Sequence, residues 1–285
     1  MSNDSRKKID NYSSLILPNK PAIVFNEKEY GKTLVISDLH IGYLYGKNKR
    51  GIIVPSSESP EEDLLKLNEE ISSDRLIILG DFKDEIFGGT HPLAGRIWQF
   101  LNKLLEKTTV TIIKGNHDGK IEELLPEEVE LIQPSGLQLK EIVHNKNIGL
   151  WHGHASPALD VISSDVTISG HAHPAYSFRD EIGSKITEKV WVKANWLNTN
   201  GSNQKRIHLI MPAFNRYIDG YSVDGEYFKM TVIMKEAINF QEAEVFTLDG
   251  VLIGTIKELQ DSRNILMDTI KQRRISEKNL RKKKK

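Results

Sequence analysis

The chain of 285 residues contains no cysteine, which excludes disulfides, thiolate metal sites and a thiol nucleophile. Any metal it binds must be held by histidine, carboxylate or amide oxygen. No apolar run approaches the ~18 residues that a membrane-spanning helix needs. The polar start, Met1 to Asp10, lacks the apolar stretch of a signal peptide. The expectation is an intracellular, cytoplasmic protein that makes no use of a membrane. Net charge is missing too, with 39 Lys and Arg against 39 Asp and Glu. That balance hides an asymmetry: Lys271 to Lys285 holds nine basic residues and one acidic, net +8, which leaves residues 1 to 270 at net −8. What remains is an ordinary soluble composition, 39% apolar, long enough for one large domain or two small ones.

Short β-branched runs recur, each ending in a polar cluster: Thr33 to Ser37, Arg75 to Gly80, Thr109 to Lys114, Ile148 to Trp151 and Val166 to Gly170. They read as strands that deliver functional residues at their C-terminal ends. Apolar spacing near 3.6 predicts helices over Glu61 to Ile71, opened by Ser59-Pro60, and Pro92 to Leu105, with a short one over Lys120 to Leu125. This alternation points to parallel strands with a site at their carboxyl ends. The second half reads as strand-rich: Lys189 to Ala194, Arg206 to Pro212, Phe228 to Met234, and a hairpin of Glu244 to Phe246 and Val251 to Ile256 turned by Asp249-Gly250. Asn198 to Gln204 reads as a polar loop, and Lys257 to Ile275 as a helix entering the basic tail. One compact two-sheet domain is the simplest organisation.

Six of the nine histidines fall in four short segments: Ser37-Asp38-Leu39-His40, Gly115-Asn116-His117-Asp118, His152-Gly153-His154 and Gly170-His171-Ala172-His173. A fifth, Gly80-Asp81-Phe82-Lys83-Asp84, adds two carboxylates. Each follows an expected strand directly, where a sheet gathers residues distant in sequence into one cleft. Singly, Asp-X-His reads as a solvated strand end and Asn-His-Asp as a turn. Their joint occurrence in this order carries the signal.

The residues and their order resemble the calcineurin-like metallophosphoesterase superfamily, whose pattern is Asp-X-His, Gly-Asp-X-X-Asp, Gly-Asn-His-Asp/Glu, His and Gly-His-X-His. Every motif occurs between Asp38 and His173. The resemblance implies an α/β fold, a four-layer αββα sandwich of two mixed β-sheets flanked by helices, with a two-metal site at the strand ends. The phosphoesterase domain would span 21–256, after an N-terminal extension over 1–20 and before a C-terminal helix and basic tail over 257–285. Carried over by position, Asp38, His40 and His173 would hold one metal, Asn116, His152 and His171 the second, and Asp81 would bridge them. His117 would be the catalytic histidine, with Asp84 orienting it. The charge balance agrees. Two divalent cations bring four positive charges, Asp38 and Asp81 offset two, and a bridging hydroxide and a phosphoester substrate take the rest. Metals ~3.5 to 4 Å apart can activate a shared water and polarise phosphoryl oxygens. Imidazole mixed with carboxylate and amide oxygen suits manganese, iron or zinc, with manganese (Mn2+) the expected cofactor.

Within the superfamily, Glu85 stands after Asp84 where serine/threonine phosphatases have Arg-Gly, and His154-Ala155-Ser156-Pro157 departs from the lipid A UDP-sugar hydrolases. The whole-chain pattern, including Arg50 to Pro55 and Met211 to Asn215, is most similar to small prokaryotic phosphoesterases related to SbcD-type nucleases. The expected activity is phosphodiester hydrolysis on nucleic acid ends or nucleotides. A phosphomonoesterase with the same site and a non-catalytic metal-binding scaffold are the alternatives. The basic tail reads either as an arm for DNA or RNA or as a solvated end, and an ATPase partner, as SbcD-type nucleases have, stays open. His154 and the run Lys47 to Arg50 are secondary candidates for phosphate contact. His91, His144 and His208 read as surface or core residues, and the four tryptophans as core. Gly115 to Lys120 superficially resembles a P-loop, but one spacer residue is missing and Ile121 replaces the required hydroxyl, so that reading is set aside.

Overall fold

Residue parity along the first strands decides the layering. Strands β2 (Gly31–Ile36), β3 (Arg75–Leu79) and β4 (Thr109–Ile113) lie parallel, with β5 (Glu130–Ile132) parallel at one edge and β1 (Ile23–Glu27) antiparallel at the other. Leu34, Ile36, Leu76, Ile78, Val110 and Ile112 pack against Leu64 and Leu67 of α2 (Pro60–Ile71) and Ile97, Phe100, Leu101 and Leu104 of α3 (Ala94–Leu105). The alternate residues Val35, Ile77, Leu79 and Ile113 turn the other way, onto Ile148, Leu150, Ile168 and Leu209 of a second sheet. Burial on both faces is why these strands read as continuous apolar runs. The structure, a computed structural model, describes residues 15–48, 59–86, 88–89, 91–143, 145–179, 184–197, 206–225, 228, 237–265 and 268.

The second sheet contains β6 (Leu137–Val143), β7 (Lys146–Trp151), β8 (Val166–Ser169), β9 (Pro174–Arg179), β10 (Lys185–Asn195), β11 (Ile207–Ile210) and β12 (Tyr221–Ser222), in the order β12-β9-β10-β11-β8-β7-β6. A hairpin, β13 (Glu244–Thr247) and β14 (Leu252–Thr255), attaches to β10. β7, β8 and β11 are parallel. Its outer face, with Trp151, Val192 and Ile210, is covered by Val161 of α4 (Leu159–Ile162) and by Ile256 and Leu259 from the helical residues 256–265. The order of layers is helix, sheet, sheet, helix, the fold expected from the motifs.

Local chemistry explains the elements. Ser59 caps α2 by accepting the Glu62 amide at 3.3 Å, Pro60 fits the first turn, and Glu61, Glu62 and Asp63 complement the positive helix end. The stretch after β4 shortens to a 3-10 turn, Ile121–Glu123, entered through Lys120 at φ 62°. A short helix α1 (Tyr43–Asn48) follows the first motif. At the far end of the first sheet the buried Arg75 guanidinium bonds Glu27, Thr111 and Glu130. The expected strand after Phe228, the loop Asn198 to Gln204, Lys49-Arg50, His144 and the basic tail lie outside the described residues. Among the described residues no helix is long and apolar enough to cross a membrane.

Candidate metal centre

Five strands, β2, β3, β4, β7 and β8, release the motif segments from their C-terminal ends. At these exits the backbone is forced into an unusual shape. Asp38 (φ 57°), His40 (48°), Asp81 (46°), His171 (66°) and His173 (45°) all adopt the left-handed conformation that side chains other than glycine avoid. Such strain persists only where the surroundings over-determine it, and it concentrates at functional sites. Gly170 and Gly115 allow the close approach: a Cβ on Gly170 would collide with Ser37 Oγ and Asp38, and one on Gly115 with the main chain of Asp81.

Three groups of donor atoms result among the described residues, each within 4.8 Å of one another: Asp38, His40, Asp81 and His173; Asp81, His152 and His171; and His40, Asp84 and His117. Asp81 belongs to the first two. Its Oδ2 lies 3.6 Å from His40 Nε2 and 3.3 Å from His152 Nε2. Asn116 Oδ1 stands 3.2 Å from the same His152 nitrogen. In the first group His173 Nε2 is 3.0 Å from Asp38 Oδ1, without hydrogen-bond alignment.

The imidazoles are oriented from behind. His152 Nδ1 faces the Leu79 carbonyl at 2.7 Å and His40 Nδ1 faces Asp84 Oδ1 at 3.2 Å. A proton on each Nδ1 leaves Nε2 as a lone pair aimed at carboxylate oxygen, the arrangement that a hydrogen-bond acceptor behind the ring imposes on metal-binding histidines. Lone pairs facing one another need a cation or a proton between them. The buried His40 Nε2 and His173 Nε2 indeed have no hydrogen-bond partner among the described residues. This donor set fits divalent cations.

Charge tells the same story. Burial works against the ionised Asp38, but His173, His152 and His40 outweigh it and hold the carboxyl well below its ordinary range. Burial likewise opposes charge on Asp81, and His152 wins, keeping that carboxyl low. Burial would depress His152, yet the hydrogen bond and charge of Asp81, with Asp38 behind, push it up to about 9. Burial and then the His152 charge push His171 down to about 4. The centre therefore demands positive charge, which bound cations supply while displacing imidazole protons.

His117 lies outside the two groups that share Asp81 and belongs to the third, with His40 and Asp84. It stands at the rim, its side chain 39% exposed and Nε2 4.0 Å from Asp81 Oδ2. Its Nδ1 bonds the main-chain carbonyl of Asp84. The Asp84 carboxylate, expected to orient His117, hydrogen-bonds His40 Nδ1 at 3.2 Å and keeps an oxygen within 4.8 Å of a His117 ring nitrogen. His154 lies beside the second group, its ring tilted 56° to that of His152 with centroids 5.1 Å apart, and its buried Nδ1 has no hydrogen-bond partner among the described residues. His208 is a core residue bonded to Thr167 and Ser169. Trp151, Trp191 and Trp196 are buried, whereas Trp98 is 55% exposed on α3.

Sequence reading overlooked the supports. Ser37 Oγ reaches Asp38 Oδ2 at 2.6 Å. Asn215 donates from Nδ2 to the Leu39 carbonyl at 3.0 Å, and Phe214 N to Ser37 O at 2.8 Å, so the Met211 to Asn215 segment splints the first motif. Lys189 in turn donates to the carbonyls of Ala213 and Asn215. Asp118 and Lys83 tie the second and third motifs together.

The profile of a family described as calcineurin-like phosphoesterase matches residues 31–210, more than half of the chain. Among solved structures, the nuclease MPE of Pseudomonas putida is 17% identical with a TM-score of 0.47, over 83% of this chain and 98% of that one. YfcE, a phosphoesterase from E. coli, is 17% identical with a TM-score of 0.37, over 78% of this chain and 96% of its own. Zinc-bound Vps29 of Entamoeba histolytica is 16% identical with a TM-score of 0.30, over 66% and 79% respectively. A search of curated proteins finds no match.

Proposed function

Because this chain belongs to the calcineurin-like phosphoesterase family, we propose that it is a two-metal phosphodiesterase acting on nucleotides or nucleic acid ends, with manganese as the first choice of cation. The observation that carries this reading is the sharing of Asp81 between two donor groups. Asp38, His40, Asp81 and His173 would hold one cation, and Asp81, Asn116, His152 and His171 the other. When bound, such a pair supplies Lewis acidity, lowering the pKa of a water and polarising the phosphoryl oxygens.

The chain's own residues do the rest. The Asp84 carbonyl fixes the His117 proton on Nδ1, so Nε2 faces the donor groups and, when protonated, donates to the leaving oxygen. Exposure of His117 at the rim leaves room for a substituent on both sides of a phosphate, which favours diesters over monoesters. The basic run 271–285 provides countercharge for a polyanion, and its removal should lower both affinity for DNA and the salt dependence of binding.

The test is hydrolysis of bis(p-nitrophenyl) phosphate beside p-nitrophenyl phosphate, by metal-stripped protein supplied with manganese. Faster diester cleavage is expected. Monoester preference would make the protein a phosphatase, and no turnover with two bound metals would leave a scaffold.

A further inference from the structure

Lys83 is fully buried, yet its Nζ donates to three main-chain carbonyls, those of Glu85 at 3.0 Å, His117 at 2.8 Å and Gly119 at 2.8 Å. An ammonium carries three protons, and all are used. The carbonyls belong to the loops that leave β3 and β4, distant in sequence and adjacent in space. Without a donor between them, three converging carbonyl oxygens would repel one another. Asp118 performs the converse. Its fully buried carboxylate accepts the amides of Phe82 at 3.3 Å, Lys83 at 3.2 Å and Gly115 at 2.7 Å. Cation and anion thus clamp the same two loops in opposite senses.

His117 sits where the clamps cross. Its amide donates to Asp81 Oδ1 at 2.9 Å, its carbonyl accepts from Lys83, and its ring Nδ1 bonds the Asp84 carbonyl. Residues 81, 83 and 84 of one loop therefore hold it at main chain and ring together. We propose that Lys83 is a positioning residue for His117, its ammonium holding the loop so that the ring keeps a proton on Nδ1 and, when Nε2 is protonated as well, directs that second proton to the leaving oxygen. This rests on the reading of His117 as proton donor.

The test compares Lys83→Met, which preserves the stem and removes the charge, with wild type across aryl phosphodiesters of rising leaving-group pKa. Two metal equivalents and KM should stay as in wild type. The kcat should fall by about 10-fold or more, increasingly so for poorer leaving groups, because a displaced acid matters most where the leaving oxygen needs its proton. The absence of native cysteine permits a rescue: Lys83→Cys, aminoethylated in denaturant and refolded, regains an ammonium at the same reach and should recover the loss. In zinc-loaded protein, nitrogen NMR of the His117 ring reads its tautomer without turnover. The Nδ1–H form is expected in wild type and a mixture in Lys83→Met. A kcat within about twofold of wild type, a loss equal for all leaving groups, or an unchanged tautomer overturns the proposal. If wild type cleaves no ester, the phosphodiesterase reading fails instead, and the tautomer comparison alone decides for Lys83.

Discussion

His117 is tied to Asp81 through its own main chain: the His117 amide donates to Asp81 Oδ1 at 2.9 Å, while the ring Nε2 lies 4.0 Å from Oδ2. One carboxylate thus belongs to two donor groups and seats the histidine proposed to move the proton.

Asp81→Asn should therefore lose metal as well as turnover. Metal affinity should fall by more than the ~10 to 100-fold typical when a group behind a ligand is removed. Plasma spectrometry after desalting measures it, and two retained equivalents would refute the bridging role.

His117→Ala should separate the two functions. Metal content stays at the wild-type level, and kcat drops by about 100 to 10,000-fold, the range of a positioned general acid. Parallel loss of metal and rate would make His117 a ligand.

Asp84→Asn should act on the metal, because the Asp84 carboxylate hydrogen-bonds His40 Nδ1 at 3.2 Å while the His117 ring hydrogen-bonds the Asp84 carbonyl. The expected effect, resting on the His40 hydrogen bond, is about 10 to 100-fold weaker binding of one equivalent, followed by manganese titration. A pure kcat defect at saturating metal would show that the carboxylate orients His117 instead.

His208 predicts acid sensitivity of the fold. Burial holds its pKa down at about 3, so it stays neutral between Thr167 and Ser169 in the folded state. The unfolded chain takes up that proton below about 6.5, so the contribution of His208 is complete above that pH. It is lost as pH falls toward 3, at no more than about 1.4 kcal/mol per pH unit. Denaturant midpoints at pH 7 and pH 5 should differ less for His208→Asn than for wild type; an equal difference would place the sensitivity elsewhere.

Much of this was legible in the sequence because it is local. The runs ending at Ser37, Gly80, Lys114, Trp151 and Gly170 announce strands that stop at or one residue before those positions and whose exits carry the motifs, and Ser59-Pro60 announces α2. β6 escaped because an irregularity between Leu139 and Val143 breaks its alternation, and β5 because three residues show no period. The roles of Lys83 and Asn215 depend on loops that meet only after folding. The turn of the Asp84 carboxylate toward His40 is a rotamer choice that no spacing encodes.

The shared donor group also has a mechanical meaning. Asp81 and Asn116 leave the first sheet while His152 and His171 leave the second, so a cation bound there is a rivet through both layers. Its affinity becomes a gauge of how well the sheets are aligned. A cavity cut between Ile77 and Leu150, remote from every ligand, should then register as weaker metal binding, and metal should in turn raise the temperature at which the two layers part.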